Sequence, residues 1–200
     1  MPLELPLRCR CGHMRGVAID VSPSTGFRFV CYCQDCQAFA RFLGRADVLD
    51  PAGGTDIFQM PPGRLKLTAG TDAMRCLCVS SKVLRWYADC CRTPIANTAA
   101  APRFPVIGMV HSFMDHEGDG CSRDEALGPP RCRLYEGSAV GPLPPSAPAP
   151  PSFGVFARRV SKLLGWWVRG LGRPTPFFDD RTNAPRAVPH VLTRSERADL

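Results

Sequence analysis

Three cysteines stand within six residues at Cys31-Tyr32-Cys33-Gln34-Asp35-Cys36, and this spacing constrains the chain more than any other feature. Thiolate is the soft ligand that selects zinc. Zn–S bonds of about 2.3 Å set the sulfurs of a tetrahedron about 3.8 Å apart, a gap that C-x-C and C-x-x-C loops span. Inert core cysteines have no reason to crowd at ligand spacing. Cys31, Cys33 and Cys36 are therefore expected to hold a metal, with a fourth position unfilled. An earlier pair, Cys9-Arg10-Cys11-Gly12, and a later one, Cys90-Cys91, supply more sulfur, and Cys9, Cys11 and Cys91 make a second set if the chain folds back on itself.

The eleven cysteines in 200 residues are odd in number and cluster at metal-ligand spacing, and Met1 to Leu7 shows no basic region followed by an apolar one. The expected compartment is a reducing cytoplasm. With 44% hydrophobic and 22% charged residues, the chain has the composition of one substantial core plus an appendage. The longest apolar run, Leu163 to Val168, falls far short of the roughly 20 residues that span a bilayer, so no transmembrane segment is expected. The net charge of +7 is uneven: residues 151–200 carry 9 basic and 4 acidic side chains, leaving 16 and 14 in the first 150. Such a tail suits nucleic acid or an anionic membrane surface. It suits equally a solubilising face on a docked helix, and nucleic acid is not an expected partner.

Alternation predicts strands at Leu3–Leu7, Arg15–Val21 and Phe27–Tyr32, the last two forming a hairpin about Ser22–Gly26 that leads into the three-cysteine loop. Phe39, Phe42 and Leu43 at helical spacing predict a helix over Cys36–Leu43 that stops at Gly44, with its positive end toward the thiolates. Ile57–Met60, Arg64–Thr68, Met74–Ser80 and Lys82–Ala88 read as a meander of strands, completed by Pro94–Asn97 and Val106–Phe113. Asp115–Pro130 reads as a surface loop, and Cys132–Tyr135 as a last strand. The division is a β domain over residues 1–140, a proline-rich linker over 141–151, an amphipathic basic helix over 152–172 and an extended arm over 173–200. Phe153, Phe156, Val160, Leu163, Leu164, Trp167, Val168 and Leu171 form the helix's apolar stripe, which is expected to dock on the β domain.

Other polar residues carry weaker signals. Cys76 and Cys78 share a strand face and read as buried hydrophobes, and Cys121 and Cys132 as free thiols. His13 is near enough to the first cysteine pair for a supporting role but is not assigned as a ligand. His111 reads as a core histidine. Arg15, Arg41 and Arg45 are candidates for pairing an anionic substrate, against the commoner reading of solvated arginines.

Cys9-x-Cys11-Gly12, then Cys31-x-Cys33-x-x-Cys36, then Cys91-x-Thr93-Pro94-Ile95 after an aromatic strand resemble the glutathione-dependent formaldehyde-activating (GFA) and centromere-protein-V family over about residues 5–113. The resemblance implies a small antiparallel zinc-bound β-tent and two zinc ions per chain. It also implies a structural zinc on the first C-x-C with a late C-x-x-C-G, and a substrate-side zinc on the middle three cysteines. The chain departs from that pattern at Ala88, which stands where the late motif begins, and at Arg92, which replaces its glycine. Cys90 is then the substitute ligand beside Cys91, or the site has three protein ligands.

Two functions follow as expectations. One is a carbon–sulfur lyase acting on thiol–aldehyde adducts such as S-hydroxymethylglutathione, with glutathione or another small thiol as partner. Three thiolates on Zn²⁺ leave a net negative charge that weakens water activation, which favours binding a substrate thiol over hydrolysis. The other is a non-catalytic structural zinc module for protein, nucleic-acid or membrane-surface interaction.

Overall fold

The computed structural model of the protein describes residues 3–80, 83–116, 120, 122–198 and 200. Cys121, Lys82 and residues 117–119 of the expected surface loop lie outside them. The fold is mainly β. Strands β1 (Leu3–Arg8), β2 (Arg15–Val21) and β5 (Leu65–Ala69) form a three-stranded sheet in the order β1-β2-β5. The second sheet contains β3 (Phe27–Cys31), β4 (Thr55–Met60), β6 (Met74–Ser80), β7 (Val83–Ala88), β8 (Thr93–Ala99), β9 (Ile107–Val110), β10 (Arg133–Leu134) and β11 (Pro189–Val191). Its order is β10-β3-β4-β9-β8-β7-β6-β11. All pairs are antiparallel except at the two edges, where β10 runs parallel to β3 and β11 parallel to β6. These closing strands return after long connections and cover edges that would otherwise expose unpaired backbone.

Two expected pairings do not form. β2 and β3 are not a hairpin, because they belong to different sheets. All five positions of β3 are buried, whereas β2 buries only Ala18 and Val21 fully. A strand buried on both faces needs cover on both faces, which the eight-stranded sheet gives it. The chain changes sheet at a left-handed Asp20 (φ 58°) and the Ser22–Thr25 turn, and at Gly26 it presses so close to the Phe58 ring that a Cβ would sit 1.9 Å from Cζ. β5 likewise leaves the expected meander. It buries only Leu65 fully and pairs with β2, so the uninterrupted meander runs from β6 to β9.

The principal core joins both sheets. Leu5, Leu7, Ala18 and Val21 meet Phe58, Met60, Trp86, Ile95 and Met109. The arm completes it: Phe177 and Phe178 pack on Trp86 with ring centroids 5.0 and 5.9 Å away, the first tilted and the second edge-on. The arm also gains β11 and a short helix α4 (Arg194–Ala198), where no regular structure was expected. Between residues 115 and 130 a one-turn helix α2 (Arg123–Leu127) starts at a capping box of Ser122 and Glu125 and buries Ala126 and Leu127. The S-x-x-E signature was present in a stretch whose Gly, Asp and Pro content suggested loop alone.

The linker is pinned rather than free. Ala149 O accepts from Arg133 N–H at 3.0 Å, Pro148 O accepts from Arg133 Nη1, and Leu143 packs on Val30, Tyr32 and Ala52. Helix α3 (Phe153–Val168) starts at Ser152, whose hydroxyl accepts from Val155 N–H. Its docking face differs from the expected one. Val155, Arg159, Lys162 and Trp166, spaced at three and four, face the domain. Arg159 lies over the Phe29 ring at 5.6 Å and donates to Gln59 Oε1 at 2.9 Å, while Lys162 donates to Ser24 O. Phe153, Phe156, Val160, Leu164, Trp167 and Val168 remain exposed. The docked face is the one on which both cations find hydrogen-bond acceptors and Trp166 is buried.

Candidate functional site

The two expected cysteine sets are each brought together. Cys9 and Cys11 leave the end of β1 in a tight turn, and Cys90 and Cys91 lie in the turn between β7 and β8. The four sulfurs all lie within 4.8 Å of one another. Cys9 Sγ is 3.5 Å from Cys11 Sγ and 3.8 Å from Cys90 Sγ, Cys11 Sγ is 3.4 Å from Cys90 Sγ, and Cys90 Sγ is 3.9 Å from Cys91 Sγ. These separations match the roughly 3.8 Å of a tetrahedral zinc–thiolate site, so the donor set fits the ion. Cys90 thus stands with its neighbour as a fourth donor. Arg92, at the position of the expected glycine, takes the left-handed conformation (φ 58°) and lies over Phe42 and Tyr87 at 5.2 and 5.5 Å.

Thr93 braces this cluster. Its fully buried Oγ1 accepts from Arg10 N–H at 3.0 Å and Arg45 Nη1 at 3.3 Å, and lies 3.1 Å from Cys91 Sγ. Burial alone would raise the Cys91 pKa, but hydrogen bonds from Thr93, the Cys11 backbone and the neighbouring thiols bring it down to about 6. Arg45 therefore belongs to this cluster, where Asp47 also holds it, and not to the three-cysteine set.

Cys31, Cys33 and Cys36 form the second cluster, with sulfurs again within 4.8 Å of one another. Cys31 ends β3, and Cys33 is the N-cap of α1 (Gln34–Phe42), which stops at Gly44 (φ 64°) as expected. Cys31 and Cys36 are buried, and Cys33 is half-buried. Hydrogen bonds from the Cys31 and Cys36 thiols and the Cys36 N–H hold the Cys33 thiol far below its ordinary pKa, while Cys31 is pushed up by Cys33, Cys36 and burial. Among the described residues this cluster groups three sulfurs and no fourth ligand.

The sequence reading missed the residue that faces this cluster. Arg85, buried in β7, points Nη1 at Cys36 Sγ (3.5 Å) and at Asn97 Oδ1 (3.1 Å), with Asp35 at 3.7 Å. Asp35 accepts from Ser80 Oγ at 2.6 Å. Burial opposes the Arg85 charge, but Cys36, Cys33 and Asp35 outweigh it. The available signal was one arginine in the otherwise apolar Val83–Ala88. Arg85 Nε and Thr55 Oγ1 are buried without a partner and line a cavity of about 10 Å³ beside Cys36, room for about one water.

The remaining candidates sit elsewhere. Arg41 donates to Leu200 O and Arg15 to Gly12 O. His13 is 3.7 Å from Asp72. Cys76 and Cys78 are buried free thiols, and burial pushes Cys76 up to about 12. Cys132 is a buried free thiol in the same apolar cluster as Cys31 and Cys36. His111 lies in a 3-10 turn after β9 and not within a strand. It borders a cleft of about 510 Å³ lined also by Arg28, Tyr32, Asp50, Asp56 and Arg123, and by none of the cysteines. There Arg28 pairs with Asp56 at 2.7 Å, and Arg123 reaches the same carboxylate at 3.0 Å. No described helix is long and apolar enough to cross a membrane.

No curated protein matches the chain. A family model matches residues 1–187, and on that match the chain belongs to DUF6151, a family of unknown function.

Proposed function

We propose that the chain binds two zinc ions, a structural one at Cys9, Cys11, Cys90 and Cys91 and a substrate-side one at Cys31, Cys33 and Cys36. The second site then acts on small thiol–aldehyde adducts as a carbon–sulfur lyase, in the manner of the GFA family that the cysteine spacing resembles. The observation that carries this reading is the contrast between the clusters: four sulfurs in one, three in the other with no fourth protein donor among the described residues. Zinc in the second cluster would lower the pKa of an incoming thiol and hold it as thiolate.

The chain's own residues support that chemistry in three ways. Three thiolates on a divalent ion sum to minus one, and the buried Arg85 guanidinium beside Cys36 offsets the neighbouring Asp35 carboxylate, so an anionic ligand meets a local charge no greater than minus one. The positive end of α1 lies at Cys33. Cys33 is the least buried of the three, so access is from its side. In the cleavage direction the adduct's C–S bond breaks with its electron pair going to sulfur, and the adduct hydroxyl gives its proton to solvent as the aldehyde carbonyl forms. Thiol and aldehyde leave as products.

A second reading is a non-catalytic zinc module. It is favoured by the burial of Cys31 and Cys36 and by a neighbouring cavity no larger than about one water. Metal analysis of protein purified without added zinc is expected to give two zinc ions per chain. Cobalt placed at the three-cysteine site is expected to change its visible spectrum with millimolar-scale small thiols, and Cys33→Ser to abolish adduct turnover. Two metal ions with an unresponsive spectrum and no turnover would leave the structural module. Fewer than two would remove the two-site assignment.

A further inference from the structure

We infer that α3 is a peripheral membrane anchor that lays its apolar stripe on the surface of an anionic lipid bilayer. Phe153, Phe156, Val160, Leu164 and Trp167 follow one another at intervals of three and four, forming a single line along the helix. They are 86, 58, 36, 57 and 66% exposed, and Val168 beside them is 79% exposed. At 1.5 Å per residue the line is about 21 Å long. Nothing in the chain's own described structure covers it, because the helix is fastened through the other side by Val155, Arg159, Lys162 and Trp166.

Charge selects the occupant. Residues 152–171 contain no aspartate or glutamate and four basic side chains, Arg158, Arg159, Lys162 and Arg169. Arg158 and Arg169 are exposed on the face away from the stripe, the arrangement of a helix lying in the plane of an interface with its cations at headgroup level. The last fifty residues carry a surplus of five positive charges, 9 basic less 4 acidic, which an anionic leaflet attracts within a Debye length. Phe104, 66% exposed, and exposed Arg103 continue the same chemistry on the loop whose Pro105 adjoins Gly172, just past the helix. Phe and Trp suit an interface between hydrocarbon and water. The helix is too short to cross. The inference is independent of the metal chemistry.

The test uses the full chain with vesicles of phosphatidylcholine alone or with about 30% phosphatidylglycerol, at about 0.1 M salt. Trp167 is exposed whereas Trp86 and Trp166 are buried, so a blue shift of its emission reports insertion, and co-sedimentation reports binding. Binding to the anionic vesicles is expected. It should fall at least about tenfold in Leu164→Asp/Trp167→Asp, and also in Phe153→Asp/Phe156→Asp at the other end, with melting temperatures unchanged because the side chains are exposed; raising salt to about 0.5 M should weaken it further. Equal binding by both variants, or equal binding to neutral vesicles, overturns the inference. So does a stripe-dependent dimer without vesicle binding, which would assign the stripe to a second copy of the chain, and so does a monomer that binds neither vesicle.

Discussion

Arg85 Nη1 lies 3.5 Å from Cys36 Sγ, although the two residues are 49 positions apart and belong to β7 and α1. A guanidinium this deeply buried is stable only where negative charge answers it, and here the answer is a cluster of thiols with Asp35 behind it. The pairing ties the three-cysteine centre to the middle of the large sheet.

Arg85→Met is therefore expected to weaken metal binding at Cys31, Cys33 and Cys36 by about tenfold to a hundredfold, the usual scale for residues that support metal ligands. Arg85→Lys should retain part of the affinity. The Cys9, Cys11, Cys90 and Cys91 cluster serves as an internal control in a chelator competition that resolves both sites. Parallel loss at both clusters would point to a general packing defect and away from charge compensation.

Thr93→Val removes the acceptor of Arg10 N–H and Arg45 Nη1 at a fully buried position. Leaving a buried donor without a partner costs about 1–3 kcal/mol, so urea denaturation at fixed free metal should show a loss of that size. Thr93→Ser keeps the oxygen and should recover most of it. A Thr93→Val protein as stable as wild type would show that water replaces the hydroxyl.

The arm, and not the apolar stripe of α3, is expected to carry stability. Phe177 is fully buried against Trp86, and Phe177→Ala should cost about 3–5 kcal/mol through lost burial and a cavity. Phe156→Ala on the exposed stripe should change stability by less than about 0.5 kcal/mol. Comparable losses in the two variants, read by thermal or urea unfolding, would contradict the docking of α3 through its Arg159 and Trp166 side.

His111 sets a pH dependence. Burial, followed by the nearby Arg123 charge, lowers its pKa to about 4, with Asp56 opposing and Arg28 adding to the effect. The unfolded chain thus takes up a proton near the ordinary histidine value of about 6.5 while the folded protein resists until about pH 4. Stability contributed this way is complete above about pH 6.5 and is lost as the pH falls toward 4, by about 2–3 kcal/mol after allowing for partial exposure. His111→Gln should flatten the stability profile in that window relative to wild type. An unchanged slope would assign the pH dependence to other groups.

The sequence by itself determined what depends on short reach. C-x-C and C-x-x-C spacings bring sulfurs to one point whatever surrounds them, so Cys31, Cys33 and Cys36 were legible as one set and Cys9 with Cys11 as a pair. Gly44 stops α1 because it alone takes a left-handed φ cheaply, and alternating Leu5 and Leu7 marked one buried face of β1. The tertiary structure decided what depends on pairing across long separations. The sequence left Cys90 as either a substitute ligand or a bystander of a three-ligand site, and only the approach of the β1 end to the turn after β7 brings its sulfur to 3.8 Å from that of Cys9, 81 residues away. β2 and β3 read as neighbours, but burial of both faces of β3 sends them to different sheets. The periodicity of α3 defined its apolar stripe without saying which side would dock. That choice went to the side where Arg159 finds Gln59 and Phe29 and Lys162 finds Ser24 O, because a helix face binds the surface it is brought against, and the partners on that surface come from two strands and a turn at least 100 residues earlier.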